Sequence, residues 1–204
     1  MPALAQTIEG TILNRVETGE SYLRISLFSG ENGLSLVLLR IYKRSRSVPP
    51  PDLFDDVEFN VDNPRSGSGL PFVRDFQIIK KRAKVAHHHL RFQIASSLAL
   101  LFLDNGYHLQ DTMPVYQLLL NALSALEDGL DPMTIWLKTL FRFGRIEGLP
   151  VKQDWLANLN RDENQFAIFT LNTPVAEQET KPDKVLNLVH SLRSWLNAET
   201  ELRC

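Results

Sequence analysis

Apolar and polar residues alternate through most of the chain up to about Lys80, and beyond it the period lengthens to that of a helix. From Ile8 to Ser47 the sequence reads IEGTILNRVETGESYLRISLFSGENGLSLVLLRIYKRSRS, and it predicts three strands: Ile8 to Val16, Tyr22 to Phe28 and Leu34 to Tyr42. In the second, Leu23, Ile25 and Leu27 share one face, while Tyr22, Arg24, Ser26 and Phe28 share the other. Glu17-Thr18-Gly19-Glu20 and Ser29-Gly30-Glu31-Asn32-Gly33 spell tight turns, because Gly and Asn tolerate the positive φ that hairpins require. Val48-Pro49-Pro50-Pro51 loses three successive backbone donors, which interrupts the sheet. Asp55 to Asp62 alternates again, with Val57, Phe59 and Val61 inward. After the turn Asn63 to Gly69, Leu70 to Lys80 predicts a fifth strand, with Phe72, Phe76 and Ile78 on one face and Val73 and Ile79 on the other.

Helical spacing takes over near Ala83. Leu90, Ile94, Leu98, Leu101 and Phe102 predict a helix over Val85 to Leu103, ended at Asp104-Asn105-Gly106 by a residue able to turn left-handed. Thr112, with Pro114 behind it, opens a helix that runs to Gly129; Asp131 caps the next, with Pro132 in its first turn. That helix reaches Ile146 and stops at Gly148-Leu149-Pro150. Lys152 to Leu159 reads as a short helix, Gln165 to Leu171 (QFAIFTL) alternates like a strand, and Pro182 to Leu202 is a last amphipathic helix. The fold class expected is α+β: a five-stranded OB-fold barrel over residues 1–82, then a mainly α-helical domain over 83–204 with a short β stretch at about 160–172.

Charge refines this picture only locally. The formal net charge is −2, but residues 1–84 hold 12 Lys+Arg against 10 Asp+Glu, and residues 85–204 hold 10 against 14. Clustering, not pI, therefore bears on nucleic-acid binding. The single cysteine, Cys204, rules out an intrachain disulfide and a thiolate zinc site. No apolar run reaches membrane-spanning length, and MPALAQTIEG lacks the signature of a secretory signal, so a soluble intracellular protein is expected.

The order of these pieces resembles a known family. Gly19-Glu20-Ser21 before an apolar strand, then Leu27-Phe28-Ser29, Gly33, a further apolar strand and a basic Ser-terminated loop look like the N-terminal OB domain of RecO, a bacterial recombination and repair protein. The likeness continues through the Leu-rich helix Leu119 to Leu126, the Gly129-Leu130-Asp131-Pro132 junction and the Gly148-Leu149-Pro150 stop, covering residues 8 to about 152. Many RecO sequences carry a four-cysteine zinc module soon afterwards; here the stretch VKQDWLANLNRDENQFAIFTL has no cysteine, a departure shared by other members. The resemblance implies binding and annealing of single-stranded and duplex DNA, with RecR and single-strand-binding protein as partners in RecA loading. It implies a cytoplasmic, nucleoid-associated protein and requires no cofactor or small-molecule substrate.

Four clusters carry candidate chemistry. The resemblance implies phosphate contacts for Arg40, Lys43, Arg44 and Arg46, although Arg40-Ile41 stand where the family usually has Lys-Gly. Beside that loop, Arg24 can meet phosphate, and Tyr22 or Phe28 can stack bases, as OB surfaces do along a strand. Lys80, Lys81 and Arg82 either extend the same positive field or form a charged connection between domains. His87-His88-His89, about 100° apart on a helix, cannot converge on one metal ion. Lys138, Arg142 and Arg145 fall at i, i+4 and i+7, with Phe141 and Leu137 beside them. Such a stripe suits an acidic, Phe-ended peptide, the character of the single-strand-binding protein tail that RecO proteins hold; a solvated charged face is the competing reading.

Catalytic motifs are absent: Arg65-Ser66-Gly67-Ser68-Gly69 lacks the Lys of a phosphate loop, and neither a paired-His metal motif nor a Gly-x-Ser-x-Gly elbow occurs. The expectation is a non-enzymatic recombination mediator. Its rivals are an OB-plus-helical adaptor without DNA binding and, more distantly, a metal-dependent nuclease.

Overall fold

The computed structural model of the chain describes residues 5–41, 49–64, 69–109, 111–179 and 181–204. Two compact units result, residues 1–83 and 84–204.

The first unit is a closed barrel of β1 (Ala5–Thr18), β2 (Tyr22–Ser29), β3 (Gly33–Arg40), β4 (Asp56–Asp62) and β5 (Phe72–Lys80), hydrogen-bonded in the order β1-β2-β3-β5-β4. β1 serves both ends: its first half pairs with β4, its second with β2, and Thr11 belongs to both ladders. A bulge between Ile12 and Asn14 lets the strand turn this corner. The parallel pairs Leu38↔Phe72 and Leu39↔Val73 close the cylinder. Gly19 (φ 63°) and Gly33 (φ 61°) sit at the hairpin turns in the left-handed region. Leu23, Ile25 and Leu27 point inward with Val57, Phe59 and Val61, as alternation predicts.

β5 departs from its predicted faces. Arg74 is skipped in the ladder with β4, since Asn60 pairs with Asp75 and Val61 with Val73. This bulge inverts the alternation, so Val73 joins the core while Phe72 turns outward. Phe76 and Ile78 keep the inward side and pack against the core.

The second unit is helical: α1 (Ala83–Ala86), α2 (His89–Asn105), α3 (Thr112–Glu127), α4 (Pro132–Ile146), α5 (Arg161–Asn172) and α6 (Pro182–Glu199). α4 is its axis. It packs against α2, α3, α5 and α6, and Ile135, Leu137, Leu140 and Phe143 are buried around its circumference. Asp131 caps it by accepting from Thr134 N–H at 2.8 Å. Gly144 has no Cβ because one would stand 2.9 Å from Val151 Cγ2 and 3.5 Å from Leu196, so α6 reaches α4 only over a glycine. Gly148 (φ 75°) and the bond from Leu149 N–H to the Gly144 carbonyl (2.9 Å) end the helix where the sequence predicts.

Three local expectations are corrected. The strand predicted at Gln165 to Leu171 is α5: Asn160 accepts from Glu163 N–H at 2.9 Å, Asp162 and Glu163 favour the first turn, and Ala167 and Thr170 form its buried side. The short apolar run fitted either period, and the cap decides it. The helix predicted from Val85 is interrupted at His88, whose backbone is extended (φ −134°, ψ 122°). Gly106 is right-handed (φ −62°) rather than left-handed.

Candidate nucleic-acid face and peptide cavity

On the outer side of the barrel, cross-strand pairing sets each neighbour. Tyr22 stands opposite Arg40 and Arg24 opposite Leu38, which in turn pairs with Phe72. The Tyr22 and Phe72 rings meet edge to face, with centroids 6.0 Å apart and planes at 65°. Phe72 is 44% exposed, Tyr22 is half-buried, and Arg24 and Arg40 are exposed. Asp62 stands opposite Phe72, and Arg74 holds it at 3.0 Å. The same face is closed at its other end, where Ser26 and Phe28 are buried. Phe28, expected as an alternative stacking residue, is fully buried and unavailable to a base.

The chain leaves β3 at Ile41, whose N–H donates to the Ser21 carbonyl at 2.7 Å. Lys43, Arg44 and Arg46, the other cations expected here, lie outside the described residues.

Lys80 and Lys81 are exposed but lie at the far end of β5. Eight residues separate Lys80 from Phe72, on the order of 25 Å along a strand. The structure does not bring them to the aromatic pair. Arg82, expected among the DNA-binding residues, is 3% exposed. Its Nη1 donates to Asp56 Oδ1 (2.5 Å) and to the Phe54 carbonyl (2.8 Å), and its N–H donates to Asp55 Oδ1 (3.1 Å). Phe54 carries the one positive φ (69°) of a non-glycine among the described residues, and Arg82 fastens it. An arginine so committed cannot meet phosphate. It holds the barrel together.

In the helical unit, the solvent side of α4 is cationic. Lys138, Phe141, Arg142 and Arg145 line a cavity of about 360 Å³, together with Lys152, Leu156, Ile168, Leu171 and Asn172. Phe141 is buried rather than bordering the stripe on the surface, and Leu137 is fully buried away from it. Lys138 donates to the Leu171 carbonyl (3.2 Å) and the Thr173 carbonyl (2.5 Å), so its ammonium also caps the C-terminal end of α5. Burial, and then the Arg142 charge, hold its pKa below that of a free lysine. Arg142 and Arg145 are exposed and also line a second groove of about 470 Å³ with α3 residues Gln117, Leu118 and Asn121.

Lys152 and Leu156 reach the first cavity from a π-helical turn, Lys152–Leu156, of a kind common at functional sites. Trp155 anchors that turn by donating from Nε1 to Ser191 Oγ at 3.0 Å, and its ring lies 6.1 Å from Phe141. Sequence reasoning missed Lys152, Leu156, Ile168 and Leu171, because only the helical path of residues 152–172 places them beside α4.

His87, His88 and His89 are exposed around the start of α2. Among the described residues no group of three or more His, Cys, Asp or Glu is placed to hold a metal ion. Burial pushes the Cys204 thiol up to about 11, offset in part by Arg193, so a thiolate is disfavoured there. The purified protein should carry no stoichiometric zinc, and a chelator should leave its melting temperature unchanged. Elemental analysis giving one zinc per chain would overturn this.

No helix among the described residues is long and apolar enough to cross a membrane. A scan against protein-family models finds no match to this chain, and a search of curated proteins likewise finds none.

Proposed function

We propose that the chain is a DNA-binding recombination mediator of the RecO kind, acting in DNA repair without enzymatic activity of its own. The observation that carries this reading is the accessible end of the barrel face. There Arg24 and Arg40 flank the half-buried Tyr22 and the exposed Phe72, and Arg40 shortly precedes the basic run Lys43, Arg44 and Arg46 in the sequence. Cations neutralise phosphates and rings accept bases, which is how barrels of this type track a strand. On this reading the protein binds single-stranded and duplex DNA, brings complementary strands together and, with RecR and single-strand-binding protein, helps RecA to load. Its place is the cytoplasm, at the nucleoid. Mixing it with complementary oligonucleotides should accelerate their annealing, and a rate equal to that without protein would count against the proposal.

The cavity beside α4 supports the partner half of the reading. Four cations around an apolar floor fit an acidic peptide that ends in an aromatic residue, the character of a single-strand-binding protein tail. Lys138 is a poor probe, because removing it also uncaps α5. Arg142→Glu with Arg145→Glu is the cleaner test. Each exposed ion pair is worth about 0.2–1 kcal/mol and reversal adds repulsion of similar size, so peptide affinity should fall about fourfold or more. Binding to bare DNA should stay nearly unchanged. Wild-type peptide affinity in the double variant would make the stripe a solvated face.

A second reading, an adaptor that holds proteins without touching DNA, draws on the same cavity. It predicts peptide binding without annealing.

A further inference from the structure

We infer that Phe72 is the base-stacking residue of the barrel and gives its outer face a preference for single-stranded over duplex DNA. This rests on the DNA-binding reading and deepens it. A phenylalanine in a strand gains by facing the core, and the even positions of β5 do so at Phe76 and Ile78. The bulge at Arg74 reverses that pattern at Val73 and Phe72, leaving the Phe72 ring 44% exposed. Bulges recur where a side chain must be re-aimed. Tyr22 then holds the ring edge to face at 6.0 Å, so its orientation is set before a ligand arrives. Tyr22, half-buried, is a positioning residue in this arrangement, and Phe72 presents the open surface.

The charge around the ring suits a nucleic-acid strand. Arg24 is two strands away across Leu38, about 10 Å, and Arg40 is the cross-strand partner of Tyr22. Arg74 neutralises Asp62 beside the ring. Cations grip the phosphates of either DNA form, but only unpaired bases can leave their stack and lie on an aromatic ring. The ring therefore discriminates where the arginines cannot.

Fluorescence anisotropy with three probes of equal length tests this: an oligothymidine, the same backbone without bases, and a duplex. Phe72→Ala should weaken oligothymidine binding roughly fivefold to a hundredfold, the range for loss of one base–aromatic stack. Binding to the abasic strand and the duplex should be unchanged, which also shows that the variant is folded, and Phe72→Tyr should restore the wild-type order of affinities. An alanine variant that binds oligothymidine as wild type does overturns the inference and leaves the DNA reading standing. Equal losses on all three probes overturn it too, since Phe72 would then act on the barrel rather than on bases. Wild-type protein that binds none of the probes removes the DNA reading itself, and this inference with it.

Discussion

Arg82→Met should destabilise the barrel by about 3–5 kcal/mol, the cost of leaving a buried charge without its partner. The guanidinium is 3% exposed and is shared between Asp56 and the carbonyl of Phe54. Methionine fills similar space but donates nothing, so Asp56 loses its cation while still accepting from Thr11 Oγ1 at 2.6 Å. The strained Phe54 backbone loses a tether as well. Domain stabilities are only about 5–15 kcal/mol, so urea unfolding should show a much lower midpoint. Arg74→Met is the control: its ion pair with Asp62 is solvent-exposed and should be worth no more than about 1 kcal/mol. Where Arg82→Met remains folded, its DNA affinity should depend on salt as the wild type's does. Wild-type stability with a flattened salt dependence would return Arg82 to the phosphate-binding set.

Arg82 also shows what could be read in advance and what could not. Alternation found all five strands, because a barrel strand has one dry face and Leu23, Ile25 and Leu27 declare it. Caps found the helix boundaries wherever Asp, Pro or Gly marked them, as at Asp131 and Gly148. A run of cations such as Lys80-Lys81-Arg82, in contrast, looks uniform in sequence. Which member is buried depends on Asp56, 26 residues earlier in the chain. The bulge at Arg74 is equally silent, since an extra residue in a strand changes no local composition, yet it decides whether Phe72 faces core or solvent. The cavity beside α4 was half visible. Lys138, Arg142 and Arg145 share a face by helical spacing alone, but its far wall belongs to α5, which the sequence disguised as a strand.

The other large effect concerns the basic run. Replacing Lys43, Arg44 and Arg46 together with Ala should flatten the slope of log affinity against log salt by roughly 2 on a single strand, since each phosphate contact contributes about 0.7 through counterion release. Surface changes of this kind typically alter stability by about 0.5 kcal/mol or less either way, so the loss should appear in binding and not in folding. The signature also separates charge from stacking: the triple variant should change the slope, whereas Phe72→Ala should lower affinity with the slope intact.

The most direct measurement is therefore a salt titration of oligonucleotide binding by the wild-type chain and the triple variant side by side. A DNA-binding barrel predicts that wild-type affinity falls steeply as salt rises and that the variant's line is shallower by roughly 2. Coincident lines would remove the basic run from the interface. Wild-type protein that shows no salt-dependent binding at all would contradict the DNA-binding account and leave the adaptor in its place.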